Sequence, residues 1–130
     1  MDSNNCLFCF LKENKDNIIY ENDHVYVILD RFPLSTCHLL IISKEHHVLM
    51  HECSEDILCE IIKTAKTIAN KLKMEKYNIC NNNVHNQIVK HVHFHLTEAN
   101  ESGNCDSTTR MKLSDDEYSM MAKVIRDKIV

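Results

Sequence analysis

The run His91-Val92-His93-Phe94-His95-Leu96-Thr97 sets three imidazoles at alternate positions. On a β-strand, successive side chains point to opposite faces. The pattern therefore predicts His91, His93 and His95 on one face, with Val92, Phe94 and Leu96 entering a core on the other. Imidazoles so spaced can bind a metal, bind a phosphate, or supply a nucleophile with its acid–base support. The bland alternative is a solvated strand face that happens to carry histidine. A second chemically competent pair is Cys6 and Cys9, at Cys-x-x-Cys spacing.

These groups need elements to position them. Residues 18–21 and 25–30 read as strands joined by a turn at Asn22-Asp23, a hairpin pattern. Residues 31–37, with the lone Pro33, read as a loop, and 38–42 as a third strand. Ser54 can cap a helix that opens with Glu55-Asp56, where acids favour the helix dipole. Apolar residues then recur at Ile57, Leu58, Ile61, Ile62, Ala65, Ile68, Ala69 and Leu72, a helical period of about five turns. A strand at 77–80, a polar loop at 81–87 and the histidine strand follow. Residues 98–110 are a polar excursion holding the only glycine, Gly103. Ser114-Asp115-Asp116-Glu117 is a capping box for a last helix, about 114–129, with Tyr118, Met121, Ala122, Ile125 and Ile129 on one face. Hairpin-like strands, one long crossover and a terminal helix predict an α+β fold built on an antiparallel sheet.

Composition bounds the rest. A chain of 130 residues, 44% hydrophobic and 26% charged, should fold as one domain, 1–130, around one core. A formal charge of −4 argues against general nucleic-acid binding, which needs a basic stripe. No apolar run approaches the roughly 18 residues of a membrane span. The opening Met1-Asp2-Ser3-Asn4-Asn5 lacks the order of a signal peptide, so a cytoplasmic or nuclear location is expected. Seven cysteines, an odd number, argue against a disulfide framework. Cys37, Cys53, Cys59, Cys80 and Cys105 read as buried or incidental thiols. With one Gly and one Pro, Asn and Asp must serve most turns.

The histidine run resembles the signature of the histidine triad (HIT) superfamily of nucleotide hydrolases and transferases, matching six of its seven positions; Thr97 replaces the last apolar residue. The resemblance covers about residues 6–97. Cys6-Leu7-Phe8-Cys9 is similar to the family's Cys-apolar-Phe-Cys. Ile19-Tyr20-Glu21-Asn22-Asp23 is similar to its Tyr-Glu-Asp-Asp hairpin. Asp30, Pro33, His38-Leu39-Leu40-Ile41-Ile42 and Lys44-Glu45-His46 fall where the family has Asp, Pro, a Gly-His strand and Pro-Lys-x-His.

The resemblance implies a five-stranded antiparallel sheet with one long helix and a C-terminal helix, assembled as a homodimer through the long helix and the segment after it. It implies cleavage of nucleoside phosphoramidates or related nucleotides at the α-phosphate, through a covalent nucleotidyl-histidine. His93 would be the nucleophile. His95 would bind or protonate around the phosphate, and His38 would complete the cluster. Imidazole N–H groups aimed at a pentacoordinate phosphate stabilise its charge. On its residues alone, His38 reads equally as a hydrogen-bonded core histidine. Asp30 would hold the ribose hydroxyls, Phe8 and Ile28 the base of a purine nucleotide, and Asn81 and Gln87 the phosphate and leaving group. Without the resemblance, Asp30 is a turn residue and Phe8 and Ile28 are core. The loop 82–86 departs from the family's glycine-rich pattern and is one residue shorter. Ile88 stands where some members place a phosphate-binding Ser.

A subset of the family binds zinc, which in this chain would be held by Cys6, Cys9, His46 and His91. Two thiolates and two imidazoles suit a closed, structural site, with no metal needed for catalysis. His47 is an adjacent competitor for His46. Two other classes stay open: a zinc-dependent hydrolase using His91, His93 and His95 as ligands, and a non-catalytic nucleotide-binding protein.

Overall fold

The computed structural model describes residues 3–99 and 110–130. Its frame is a five-stranded sheet of β1 (Tyr20–Glu21), β2 (Val25–Leu29), β3 (His38–Ser43), β4 (Tyr77–Asn81) and β5 (His93–Glu98). The spatial order is β1-β2-β3-β5-β4, antiparallel at every pairing. The helices are α1 (Leu7–Leu11), α2 (Glu55–Lys71) and α3 (Asp115–Ile129). The α+β architecture expected from the sequence is the one observed.

Asn does replace glycine in the first hairpin. The Asn22 side-chain oxygen accepts the backbone N–H groups of His24 and Val25 at 2.9 and 3.0 Å, which closes the turn without a positive φ. β2 and β3 are apolar on both faces, as central strands covered twice must be. Val25, Val27, Leu29, Leu39 and Ile41 face α2 and α3. Tyr26, Ile28, Leu40 and Ile42 face Cys6, Phe8 and Ile18 on the other side. The site is built on this second face.

α2 begins where Ser54 Oγ accepts the Ile57 N–H at 3.2 Å and buries Ile57, Ile61, Ala65 and Ile68. It ends with Lys73 in the left-handed region, φ 53°, and the Met74 N–H closing back on Ala69 O at 3.0 Å. Ile62, part of the apolar pattern, is exposed. α3 opens with the expected reciprocal box between Ser114 and Glu117. The Tyr118 hydroxyl donates to Leu29 O at 2.6 Å, tying α3 to the end of β2.

The histidine run is not one strand. β5 starts at His93, and His91 and Val92 precede it. The Val92 N–H leaves the sheet to donate to His47 O at 2.7 Å. His91 is thereby set ahead of the strand, with its ring centroid 6.0 Å from that of Phe8 and its Nδ1 toward Cys6. The first strand is shorter than 18–21, although the Ile19 N–H still donates to Val27 O at 2.8 Å. Most of the polar excursion, with Cys105, lies outside the described residues. Among the described residues, no helix is long and apolar enough to cross a membrane, and Cys37 and Cys53 are buried free thiols while Cys59 and Cys80 are exposed ones.

Candidate functional site

The β3–β5 register sets Leu40 opposite His95, Ile42 opposite His93 and His38 opposite Thr97, so all three histidines share one face. Hydrogen-bond directions then fix their tautomers. The Leu34 N–H donates to His38 Nδ1 at 3.0 Å, so that nitrogen carries no proton. The proton of neutral His38 sits on Nε2, which donates to His95 Nδ1 at 2.9 Å. His95 must then carry its own proton on Nε2. His93 is set the other way round. Its Nδ1–H donates to His91 O at 2.7 Å, because a carbonyl only accepts, and Nε2 is left with a lone pair. Burial lowers the pKa of His38 and His93 and, with the charges of His93 and His38, pushes His95 down to about 4. Near neutral pH the cluster is three uncharged rings: one bare nitrogen and one N–H donor beside it. His38 is fully buried and His93 nearly so, which is the opposite of a solvated histidine face.

These rings floor a cavity of about 980 Å³ that Phe8, Ile28 and Asp30 also line. The Phe8 ring stands edge-on to His93, centroids 4.9 Å apart. Asp30 Oδ1 accepts the Phe32 N–H at 2.9 Å; Oδ2 lies 3.4 Å from His38 Nε2 and 3.6 Å from Arg110 Nη1. Asn81 and Gln87 are placed differently from the sequence expectation. Neither lines the cavity; Asn82, Asn86 and Ile88 do. The Asn81 amide donates to His93 O at 2.9 Å. Gln87 is buried, donating to Val48 O at 2.6 Å and accepting the Val84 N–H at 3.0 Å. Their polar atoms are engaged in holding the short loop and the start of β5. That loop turns through Val84 and Asn86 at φ 65° and 62°, positions glycine would take at lower cost. The sequence reading missed the C-terminal contribution: Arg110, Lys112, Asp115 and Tyr118 all reach the cavity. The only signal was two cations at alternate positions after an irregular stretch.

On the far side of His91 lies a second cluster. Its Nε2–H donates to Ser43 O at 2.6 Å, which leaves Nδ1 bare. That nitrogen is 3.2 Å from Cys6 Sγ, 3.5 Å from Cys9 Sγ and 3.1 Å from His46 Nδ1, and His46 Nδ1 is 3.2 Å from Cys9 Sγ. Donors on a tetrahedral zinc ion are separated by about 3.3–3.8 Å, given bond lengths near 2.0–2.3 Å. The four ligand atoms converge to nearly that spacing. The carbonyl on Nε2 is the outer-shell partner that orients a ligating imidazole. Burial and the neighbouring Cys6 push the Cys9 thiol up to about 11, a penalty that a bound dication would reverse. The residues therefore fit zinc. Geometry does not support one ion held by the whole run. His91 groups with Cys6, Cys9 and His46, His95 groups with Asp30 and His38, and His93 belongs to neither set.

The family model for the HIT domain matches residues 11–101. The chain belongs to the HIT family. It is 39% identical over 98 residues to an uncharacterised HIT-like protein of Methanocaldococcus jannaschii, covering 70% of this chain and 76% of that one. It is 35% identical over 95 residues to the adenosine 5'-monophosphoramidase of Saccharomyces cerevisiae, covering 70% of this chain and 60% of the yeast protein. The crystal structure of a hypothetical histidine triad nucleotide-binding protein from Sulfolobus tokodaii superposes with TM-score 0.78 at 27% identity, over 95% of this chain and 91% of that one. The fold is also that of a zinc-bound histidine triad family protein from Mycobacterium smegmatis, with TM-score 0.81 at 23% identity over 98% and 95% of the two chains. The HIT match ends shortly after β5 and begins after Cys9. The cysteines of the metal cluster and the C-terminal wall of the cavity therefore rest on this HIT protein's own geometry.

Proposed function

We propose that this HIT protein cleaves a purine nucleoside phosphoramidate, or a related nucleotide, at the α-phosphate through a nucleotidyl group carried on His93. One observation carries the reading. The His91 carbonyl accepts a hydrogen bond from the His93 Nδ1–H, which leaves the Nε2 lone pair beside the His95 Nε2–H in a cavity large enough for a nucleotide. Relatives named adenosine 5'-monophosphoramidase, about 35% identical, support it. Asp30 accepts hydrogen bonds from the ribose hydroxyls, with two oxygens suited to a vicinal diol. Phe8 and Ile28 flank the base. Asn81 and Gln87 act one step back, by holding His93 and the phosphate-side loop.

In the first step His93 Nε2 forms a bond to phosphorus, and the bond from phosphorus to the leaving nitrogen breaks. The bound phosphate's negative charge raises the pKa of His95 again, and its imidazolium gives a proton to the departing amine. Water then attacks phosphorus, the His93–phosphorus bond breaks, and the water's proton passes to His95. The products are an amine and a nucleoside monophosphate. Cys6, Cys9, His46 and His91 would hold zinc, which supplies rigidity and takes no part in the chemistry. We infer a homodimer as well, because Ile62 on α2 and Tyr77 and Ile79 on β4 are exposed apolar residues. The test is intact-mass spectrometry of protein quenched during turnover of adenosine phosphoramidate. A nucleotidyl adduct in wild type, absent in His93→Ala along with turnover, is expected. Near-normal turnover in His93→Ala, with loss in His95→Ala, would sink the assignment.

A further inference from the structure

The floor of this cavity offers its ligand the His95 Nε2–H, while His93 Nε2 presents only a lone pair, yet the proposed ligand carries negative charge. The cations come from elsewhere. Arg31 lines the cavity but is engaged: Nη1 donates to Leu113 O at 2.8 Å and Nη2 pairs with Asp115 at 2.9 Å. Arg110 is anchored by one arm only. Its Nη1 donates to Phe32 O at 2.8 Å. The same nitrogen stands 3.6 Å from Asp30 Oδ2, beyond a hydrogen bond. Its Nε and Nη2 groups make no hydrogen bond or ion pair among the described residues. That free edge is the one that pairs with two phosphate oxygens at once. The segment carrying it is pinned, since the Met111 N–H donates to Pro33 O at 2.8 Å. Arg110 shares the cavity with His93 and His95, and its side chain is 38% exposed. Its charge reaches the reacting end: after burial, it is among the influences that lower the pKa of His38 and His95.

We propose that Arg110 is a phosphate-binding residue, contacting the bound nucleotide through its free Nε–Nη2 edge, so that the segment leading into α3 completes the site. The inference rests on the nucleotide reading above. The rival role is to hold Asp30, which would affect the ribose rather than the phosphate. Titration calorimetry with adenosine and with AMP separates the two, using wild type, Arg110→Ala and Arg110→Lys. Arg110→Ala should weaken AMP about tenfold or more, the loss of one charge-assisted contact, and leave adenosine within about twofold. Arg110→Lys keeps the charge without the fork and should fall between. Equal losses for both ligands in a variant that melts like wild type would overturn the proposal, as would undiminished AMP binding. If Arg110→Ala melts early, the same comparison is read from Arg110→Lys. Wild-type protein that binds neither ligand would overturn the nucleotide reading itself, whereas AMP binding unchanged by Arg110→Ala would remove only the phosphate-binding role of Arg110.

Discussion

His93 and His95 are the same side chain two residues apart, and their neighbours give them opposite protonation patterns. One donates its Nδ1–H to the His91 carbonyl, and the other accepts a hydrogen bond at Nδ1 from the His38 Nε2–H. His38 in turn is fixed by the Leu34 N–H. We predict that His38→Ala, which frees His95 to swap tautomers, lowers kcat by about 100-fold, the low end of what lost acid–base catalysis costs. An unchanged kcat would show that His95 needs no such partner. Burial also makes the cluster sensitive to acid. A histidine whose pKa is lowered on folding takes its proton more readily in the unfolded chain. Stability is thus full above the ordinary value of about 6.5 and is lost as pH falls toward about 4. With a chelator present throughout, so that metal release does not enter, the urea midpoint should be lower at pH 5 than at pH 7. An equal or higher midpoint at pH 5 would contradict this. Three of these histidines stood out in the sequence. Their tautomers did not, because these depend on one backbone N–H and one carbonyl that only the fold brings near.

The long helix and its cap were legible in the spacing of Ile57, Ile61, Ala65 and Ile68, since one buried face leaves a period that sequence preserves. The loop after β4 was not. Its path depends on two backbone conformations that the residue types disfavour. Val84 is β-branched, exposed and left-handed. That conformation costs about 1–2 kcal/mol, and glycine gives part of this back as chain entropy, about 0.5–1 kcal/mol. Val84→Gly should therefore raise the melting temperature by about 2–4 °C; a fall by thermal denaturation would mean that Val84 makes packing contacts worth more than its strain. The N-terminal elements depend on a different device. α1 is one short turn-and-a-half, too short to persist alone, and the Cys6–Cys9–His46–His91 cluster joins it to the loop after β3 and the segment leading into β5. Cys6→Ser with Cys9→Ser should release zinc and lower the melting temperature, because metal affinity at such a site is folding free energy. Some turnover should remain, since His38, His93 and His95 are untouched. Immediate and complete loss of activity on chelation, with an unchanged circular dichroism spectrum and full recovery on adding zinc back, would point instead to a catalytic metal.

At the scale of the whole molecule, the two helices do not cover the sheet evenly. α2 packs on β3 and β2, and α3 on β2, while β4 lies two strands away at the edge with nearly every residue exposed. Tyr77 and Ile79 stand on the same side of the sheet as Leu96, the core side, yet are 44% and 45% exposed. Ile62, at 52%, adds an apolar residue on α2. Scattered exposed apolar side chains need no explanation, but an open apolar strand at a sheet edge is a liability that proteins cover or pair. A second copy related by a two-fold axis covers it without a new sequence, because the same patch then meets itself. A charge on each side of such an axis also meets itself, so one substitution is doubled in effect. We predict that the wild-type chain has twice the monomer mass by light scattering at micromolar concentration, and that Ile79→Lys halves it while leaving the far-ultraviolet circular dichroism unchanged. A wild-type monomer under those conditions would defeat the assembly, and an Ile79→Lys dimer would move the interface away from β4.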